Sequence, residues 1–208
     1  MYQTINIDQW SRKDHFRFFS SFEEPFFGIA VRVDCKKAKM ICKDKGNSFF
    51  LYYLHAALRA ANALENFRYR IKDGQVVLYD KIHASPTIMR PDGTFGFSYM
   101  DFFENFEEFQ LHAKKEVTRV QQNSGLEFAL SRENVIHFSA LPWLDFSSVS
   151  HARSYSYPDS CPKISFGKVV EEGSRLTMAV SIHAHHGLVD GFHIGQWVEL
   201  FQGFLDGG

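Results

Sequence analysis

Four histidines and one aspartate lie close together in the segment SIHAHHGLVDGFHIGQW, at 181–197. Neutral imidazole is a common metal ligand, and histidine is also the side chain whose ordinary pKa lies nearest neutrality. Three interpretations are therefore open for this segment. The histidines form a metal site, or they pack on a strand, or one of them is a general base that removes a proton from a hydroxyl group.

The residues around these histidines predict a strand followed by a helix. Apolar residues recur at every second position from Leu176 to Ala184, which is typical of a half-buried strand. Successive strand side chains point to opposite faces, so His183 and His185 share one face and His186 takes the other as the strand ends. Asp190 then begins a helix. A side chain at such a corner is held by two elements and can still face a cavity, as a catalytic base requires.

The other interpretations stay open from these residues alone. His183 and His185 are equally compatible with ordinary positions on the polar face of a strand. A metal bound by His183, His185 and His193 is a further alternative, but no cysteine or carboxylate lies at a spacing typical of zinc sites. The sequence also lacks a G-x-S-x-G motif and a P-loop.

Length, charge and cysteine content narrow the class of protein. A chain of 208 residues without repeats or a linker suits one domain, 1–208. The net charge of −1 and the lack of a Lys/Arg-rich tract argue against nucleic acid as a partner. Three cysteines without a C-x-x-C pair argue against a disulfide framework and favour a reducing cytoplasm. The N-terminal residues show no basic region followed by an apolar run, so we expect no signal peptide, and no apolar stretch approaches the roughly 20 residues of a membrane span.

Hydrophobic periodicity predicts an α+β fold, a mixed sheet with helices packed on it. The expected elements are a strand at 28–35, a helix capped by Asn47 or Ser48 and reaching about Leu64, a hairpin turning at Asp73-Gly74, strands at 82–88 and 95–99, a helix at 104–120, a strand at 135–143, a hairpin turning at Glu172-Gly173 and a helix from Asp190.

The segment HHGLVDG at 185–191 matches the H-H-x-x-x-D-G signature of the chloramphenicol acetyltransferase and dihydrolipoyl acyltransferase superfamily. The segments at 6–16, 67–83, 138–146 and 185–195 also resemble, in the same order, those of trimeric type A chloramphenicol acetyltransferases. The resemblance covers almost the whole chain. It implies a two-layer mixed β-sheet with helices packed on it, assembled as a homotrimer whose active sites lie between subunits.

The resemblance implies a reaction and a role for each matching residue. His186 matches the general base that lets an acceptor hydroxyl attack the thioester of acetyl-CoA directly. Ser139 matches the hydroxyl that donates to the resulting oxyanion. Asp190 matches an aspartate that pairs with an arginine, Arg12 here, and we expect a bidentate pair. His185 is expected to support the loop.

The resemblance also indicates where the substrates bind, and it implies no metal. The expected acceptor pocket comprises Pro25, Phe27, Phe95, Leu141, His151, Arg153, Lys163 and Ser165, and the expected CoA contacts are Trp143 and Lys168. His151, Arg153 and Lys163 fall where the antibiotic-modifying enzymes have apolar residues. Acetyl transfer to chloramphenicol or a related molecule is the function implied. One alternative is an acyltransferase for a more polar acceptor, and the cationic Arg153 would then favour an anionic or strongly hydrogen-bonding molecule. The other alternative is a non-catalytic binding relative.

Overall fold

The computed structural model describes residues 1–126, 133–154 and 159–208. Its strands are β1 (Tyr2–Thr4), β2 (Phe26–Asp34), β3 (Tyr69–Lys72), β4 (Gln75–Tyr79), β5 (His83–Met89), β6 (Phe95–Phe97), β7 (Val135–Ala140), β8 (Lys163–Glu172) and β9 (Arg175–His185). Its helices are α1 (Lys13–Phe19), α2 (Lys36–Lys45), α3 (Phe49–Asn62), α4 (Glu65–Arg68), α5 (Phe106–Gln122) and α6 (Gly191–Leu205), with a 3₁₀ turn at Ile7–Gln9.

The described strands form one large sheet and one small one. Six strands are ordered β2-β9-β8-β7-β5-β6, and three are ordered β1-β4-β3. Strands β5, β7 and β8 run parallel, while the other neighbours are antiparallel. This arrangement confirms the predicted α+β fold with a mixed sheet.

One face of the large sheet, the inner face, packs against helices α3 and α6. Phe166 of β8 meets Tyr53 of α3 at 4.6 Å between ring centroids and Phe201 of α6 at 6.0 Å. Trp197 of α6 is fully buried, and its indole N–H donates to the carbonyl of Ala57 at 3.2 Å. Burial of these aromatic side chains is the main source of stability at this layer.

The opposite face of the large sheet, the outer face, carries polar side chains in register across its strands. Residues paired across neighbouring strands share a face. Two cross-strand rows therefore lie on the outer face: Ser139, Ser165 and Ser181 in one, and His137, Lys163, His183 and Gly28 in the other. The elements thus place apolar packing on one side of the sheet and groups capable of chemistry on the other.

The structure differs from the predicted elements at a few positions. Helix α2 was not predicted, because its segment is mostly charged and only Ala38 and Cys42 are buried. The second hairpin turns one residue later than predicted, since Glu172 pairs with Arg175 and Gly173 has a φ of 62°. That positive φ suits a glycine at the first turn position. In the described part of the chain no helix has the length and apolar character needed to span a membrane.

Candidate active site

His186 follows the last residue of β9, and two aromatic rings clamp its imidazole. Phe19 of α1 stacks on it at 4.1 Å between centroids with planes 4° apart, and Phe27 of β2 stacks at 4.2 Å with planes 28° apart. The backbone N–H of His186 donates to the carbonyl of Pro25 at 2.8 Å. The ring is therefore fixed in plane and in position before any substrate binds.

The two nitrogens of the His186 ring have different surroundings. Nδ1 is buried and has no hydrogen-bond partner among the described residues, while the side chain as a whole is half-buried. Nε2 is therefore the ring nitrogen that a substrate can reach. A general base needs a nitrogen in that position, within hydrogen-bond reach of the proton that it removes.

Arg12 ties the loop after β9 to the start of the chain. One guanidinium nitrogen, Nη1, donates to Oδ2 of Asp190 at 2.7 Å, and the other, Nη2, donates to the backbone carbonyl of His186 at 3.2 Å. The expected Arg12–Asp190 pair is present, but it is not bidentate. The second nitrogen instead holds the backbone of His186, so one side chain fixes both the histidine and the start of α6.

Asp190 is the N-cap of α6. Its Oδ1 accepts from the backbone N–H of Phe192 at 3.0 Å, and its own backbone N–H lies 3.2 Å from Nδ1 of His193 in a capping box. Partial burial raises the pKa of the Asp190 carboxyl, but the Arg12 hydrogen bond and the neighbouring charges lower it below its ordinary value. His193 thus caps a helix, and no group of His, Cys, Asp and Glu in the described ranges is arranged to hold a metal.

His185 is a buried support for the loop that follows it. Its Nδ1 accepts from the backbone N–H of Gly187 at 3.1 Å, and its ring meets the edge of Phe26 at 5.8 Å. Burial, together with the charge of Arg153, lowers the pKa of His185 to about 4. The imidazole is therefore neutral at physiological pH, and a neutral ring can accept the Gly187 hydrogen bond.

Ser139 lies on the outer face of β7, beside Ser165 of β8, which in turn lies beside Ser181 of β9. At the usual strand spacings, the two strands and five residues between Ser139 and His186 put them roughly 10 Å apart across the sheet and about 16 Å apart along it. One chain therefore does not bring these two residues together. Ser165 is fully buried, and its Oγ has no partner among the described residues.

The cationic residues of the expected acceptor pocket are paired within the chain. Arg153 forms an ion pair with Glu24, and its guanidinium lies 3.7 Å from the centroid of Phe26. Lys163 is buried and forms an ion pair with Asp159. Glu24 thus already balances the charge of Arg153. This charge therefore gives no reason to expect an anionic acceptor.

The remaining expected site residues are spread along the sheet. His151 meets the edge of His183 at 4.8 Å, and burial and nearby positive charge lower its pKa to about 4. Phe95 is exposed on the edge strand β6, on the outer face that also carries Ser139. Leu141 and Trp143 follow the end of β7, where the backbone N–H of Leu141 donates to the carbonyl of Phe166 and Trp143 is 61% exposed. The exposed Lys168 lies within β8, three residues beyond Ser165.

Sequence reasoning missed four residues that shape this site. Phe19 and Phe26 supply ring surfaces, and Glu24 and Asp159 supply the carboxylates that balance the pocket cations. The aromatic-rich segment FRFFSSFEEPFF at 16–27 signals an apolar cluster, but nothing local shows which ring stacks on the histidine.

Known proteins match both the sequence and the fold. The family model for chloramphenicol acetyltransferase matches residues 1–202, and the chain belongs to that family. A chloramphenicol acetyltransferase of Klebsiella sp. is 28% identical over 206 residues, covering 99% of this chain and 94% of that protein. One from Proteus mirabilis is 25% identical over 205 residues, covering 98% and 94%.

Solved structures agree with this assignment. A chloramphenicol acetyltransferase superposes with a TM-score of 0.92 at 33% identity, covering 99% of this chain and 100% of that one. A probable dihydrolipoamide acetyltransferase from Listeria monocytogenes superposes with a TM-score of 0.68 at 12% identity, covering 99% and 94%, which shows a likeness of fold alone.

Proposed function

We propose that this protein is an acetyl-CoA-dependent O-acetyltransferase that acetylates a hydroxyl of chloramphenicol or of a related small molecule. The observation that carries the proposal is the placement of His186, held between two aromatic rings with Nε2 left for a substrate. This residue lies in the signature of a family whose curated members are named chloramphenicol acetyltransferases.

The reaction proceeds by direct transfer. Nε2 of His186 takes the proton of the acceptor hydroxyl as the oxygen attacks the thioester carbonyl carbon of acetyl-CoA. The resulting oxyanion accepts a hydrogen bond from the hydroxyl of Ser139, and one such donor contributes about 10²–10³ in rate. When the tetrahedral intermediate collapses, the C–S bond breaks, and the departing sulfur takes the proton from His186. The products are the acetyl ester and free CoA.

The chain positions His186 for this step without help from substrate. The stack on Phe19 and Phe27 fixes the plane of the ring, and the bonds to Pro25 and Arg12 fix its backbone. A base held in this way needs no rearrangement as the acceptor binds, so less of the binding free energy is spent on ordering the site.

We propose that the active site forms between copies of the chain, in a homotrimer. His186 and Ser139 are too far apart in one chain to contact the same reacting group, by the strand spacings given above. A ring of three copies, each presenting His186 to the Ser139 surface of the next, would bring the two residues together three times. Light scattering should give a mass near three times the 24.0 kDa of one chain.

Release of free thiol from acetyl-CoA tests the activity. Chloramphenicol and a panel of other hydroxylated acceptors should each be assayed with the wild type and with His186→Ala. We expect the variant to lose at least the 10²–10⁴ typical of general-base catalysis while it still binds CoA. His112→Ala is the matched control, because His112 is exposed on α5 and stacks on Phe103 of the loop before that helix. A folded His186→Ala protein with near-normal turnover would remove this residue from the mechanism.

A further inference from the structure

The turn that carries His186 is packed between the ring of His185 and helix α1. An added Cβ at Gly187 would come within 3.1 Å of the His185 ring and within 3.2 Å of the backbone of Phe16. The backbone N–H of Gly187 also donates to Nδ1 of His185 at 3.1 Å. The position of His186 therefore depends on how the ring of the preceding histidine is held.

Phe26 links His185 to a cation from a loop that is distant in the sequence. Phe26 pairs with His185 across β2 and β9, and its ring meets the edge of the imidazole at 5.8 Å between centroids. The guanidinium of Arg153 lies 3.7 Å from the centroid of the Phe26 ring, within the range of a cation–π contact. Only 11% of the Arg153 side chain is exposed, so solvent screens little of its charge from His185.

Glu24 fixes the guanidinium in that position. Its Oε1 accepts from the backbone N–H of Phe26 at 2.9 Å and also forms the ion pair with Nη1 of Arg153. The carboxylate belongs to the segment that leads into β2, in which the carbonyl of Pro25 accepts from the backbone N–H of His186. One short segment thus connects the guanidinium to both histidines at the end of β9.

The hydrogen bond from Gly187 requires a neutral His185, because a protonated imidazole has no acceptor nitrogen. Burial, and after it the charge of Arg153, lowers the pKa of His185 to about 4. Loss of the Arg153 charge would therefore make this ring easier to protonate. The other charged or titratable groups around the ring and its Phe26 neighbour are Asp159 with its partner Lys163, His186 and Glu24.

We propose that Arg153 is a positioning residue for acetyl transfer, which acts on the base through His185. The inference rests on the proposed function, in which His186 is the base. The guanidinium keeps the His185 ring in the state that accepts the Gly187 N–H, and this hydrogen bond holds the turn. The role requires no contact between Arg153 and the acceptor, so it leaves the substrate class unchanged.

Two substitutions that break the same ion pair should move the pKa of His185 in opposite directions. Arg153→Met removes a positive charge and should raise the midpoint of the His185 titration by about one pH unit, as expected for one nearby charge. Glu24→Gln removes a carboxylate that raises this pKa, so a smaller fraction of His185 should be protonated at pH 4. Arg153→Lys keeps the charge and should keep the midpoint. NMR signals of the histidine rings measure each midpoint, and the Gly187 amide signal should follow the same titration.

The effect of Arg153→Met on kcat should depend on pH. At pH 5 about half of the His185 rings in the variant and about a tenth in the wild type are protonated, so the wild-type-to-variant ratio of kcat should be about twofold larger than at pH 8. In a His185→Asn background this pH dependence should disappear, because an amide oxygen accepts the Gly187 N–H without titrating. Arg119→Met is the control, because it removes a comparable ion pair, with Glu116, on α5.

The outcomes separate this inference from the proposed function. An unchanged His185 midpoint in Arg153→Met, or shifts in the same direction for Arg153→Met and Glu24→Gln, would overturn the inference. A loss of kcat that is equal at every pH, or that keeps its pH dependence in the His185→Asn background, would overturn it too. If Arg153→Met does not fold, the inference falls when Glu24→Gln leaves the midpoint unchanged or raises it. If no acceptor releases thiol, the proposed function fails, and the midpoints with the Gly187 signal still decide whether Arg153 holds the turn.

Discussion

A mixed trimer tests whether the site is shared between chains. His186→Ala removes the base, and Ser139→Ala removes the oxyanion donor from the outer face. Each variant alone should retain at most about one hundredth of wild-type kcat, given the 10²–10³ contributed by one oxyanion donor and the 10²–10⁴ contributed by a general base. The two variants are then coexpressed at equal levels, so that hybrid trimers form at random.

The expected activity of the hybrids follows from the separation of the two residues. If each site takes its base from one chain and its oxyanion donor from the next, a trimer that contains both variants has a single junction where an intact His186 meets an intact Ser139. About a third of the sites in such trimers are then complete, some 30 times the background of either variant. If both residues acted from one chain, no hybrid site would be complete, and the activity would stay at background.

The assay is thiol release per active-site equivalent, with two affinity tags to isolate trimers that contain both variants. Coexpression of two differently tagged copies of His186→Ala controls for tag effects and should stay at background. Mixing the purified variant trimers without subunit exchange should also restore nothing. Isolated hybrid trimers that show only background activity would refute the proposal that His186 of one chain and Ser139 of the next act in the same site.

Three further measurements test how the site is held. Arg12→Gln and Asp190→Asn should each lower activity and stability together, because each leaves a partly buried charge unpaired. In urea unfolding, the double variant should lose less free energy of unfolding than the sum of the two single losses. Additive losses would show that the two residues do not interact. Phe19→Leu should lower kcat about fivefold with little change in KM, because it removes one face of the imidazole stack, and unchanged kcat would count against that role. The pKa of His185 is lowered from 6.5 to about 4, so the unfolded chain binds a proton that the folded chain does not. The contribution of neutral His185 to stability should thus be fully present above pH 6.5 and be lost as the pH drops toward 4. His185→Asn should make the decrease in Tm over this pH range smaller.

Local patterns in the sequence predicted most of the sheet. Alternation located β2 and β9, and Asp73-Gly74 predicted a turn in which both residues have positive φ, at 50° and 74°. These features depend on a few adjacent residues, so they can be recognised without tertiary information. Helix α2 has no such feature, because only Ala38 and Cys42 are buried and the lysines around them are exposed.

The residues of the site also differ in how far apart in the sequence their contacts lie. The H-H-x-x-x-D-G pattern identified His186 and Asp190, which are four residues apart. The Arg12 contact spans 178 residues, and only the family resemblance supplied it. Neither the pattern nor the resemblance indicated that the second guanidinium nitrogen binds the His186 carbonyl or that Glu24 balances Arg153. Both facts depend on where α1 and the start of β2 pack against the end of β9.

In the proposed trimer, the contacts that hold His186 come from its own chain, whereas the oxyanion donor comes from the next copy. Phe19, Phe27, Pro25 and Arg12 all belong to the chain that carries His186, so the imidazole keeps its position whether or not a neighbour is present. The oxyanion donor and the acceptor surface lie on the outer face, which in our proposal faces the next copy. Folding of one chain therefore positions the base, and in our proposal assembly then supplies the oxyanion donor. Changes on the outer face can accordingly alter the acceptor without disturbing the residues that hold His186.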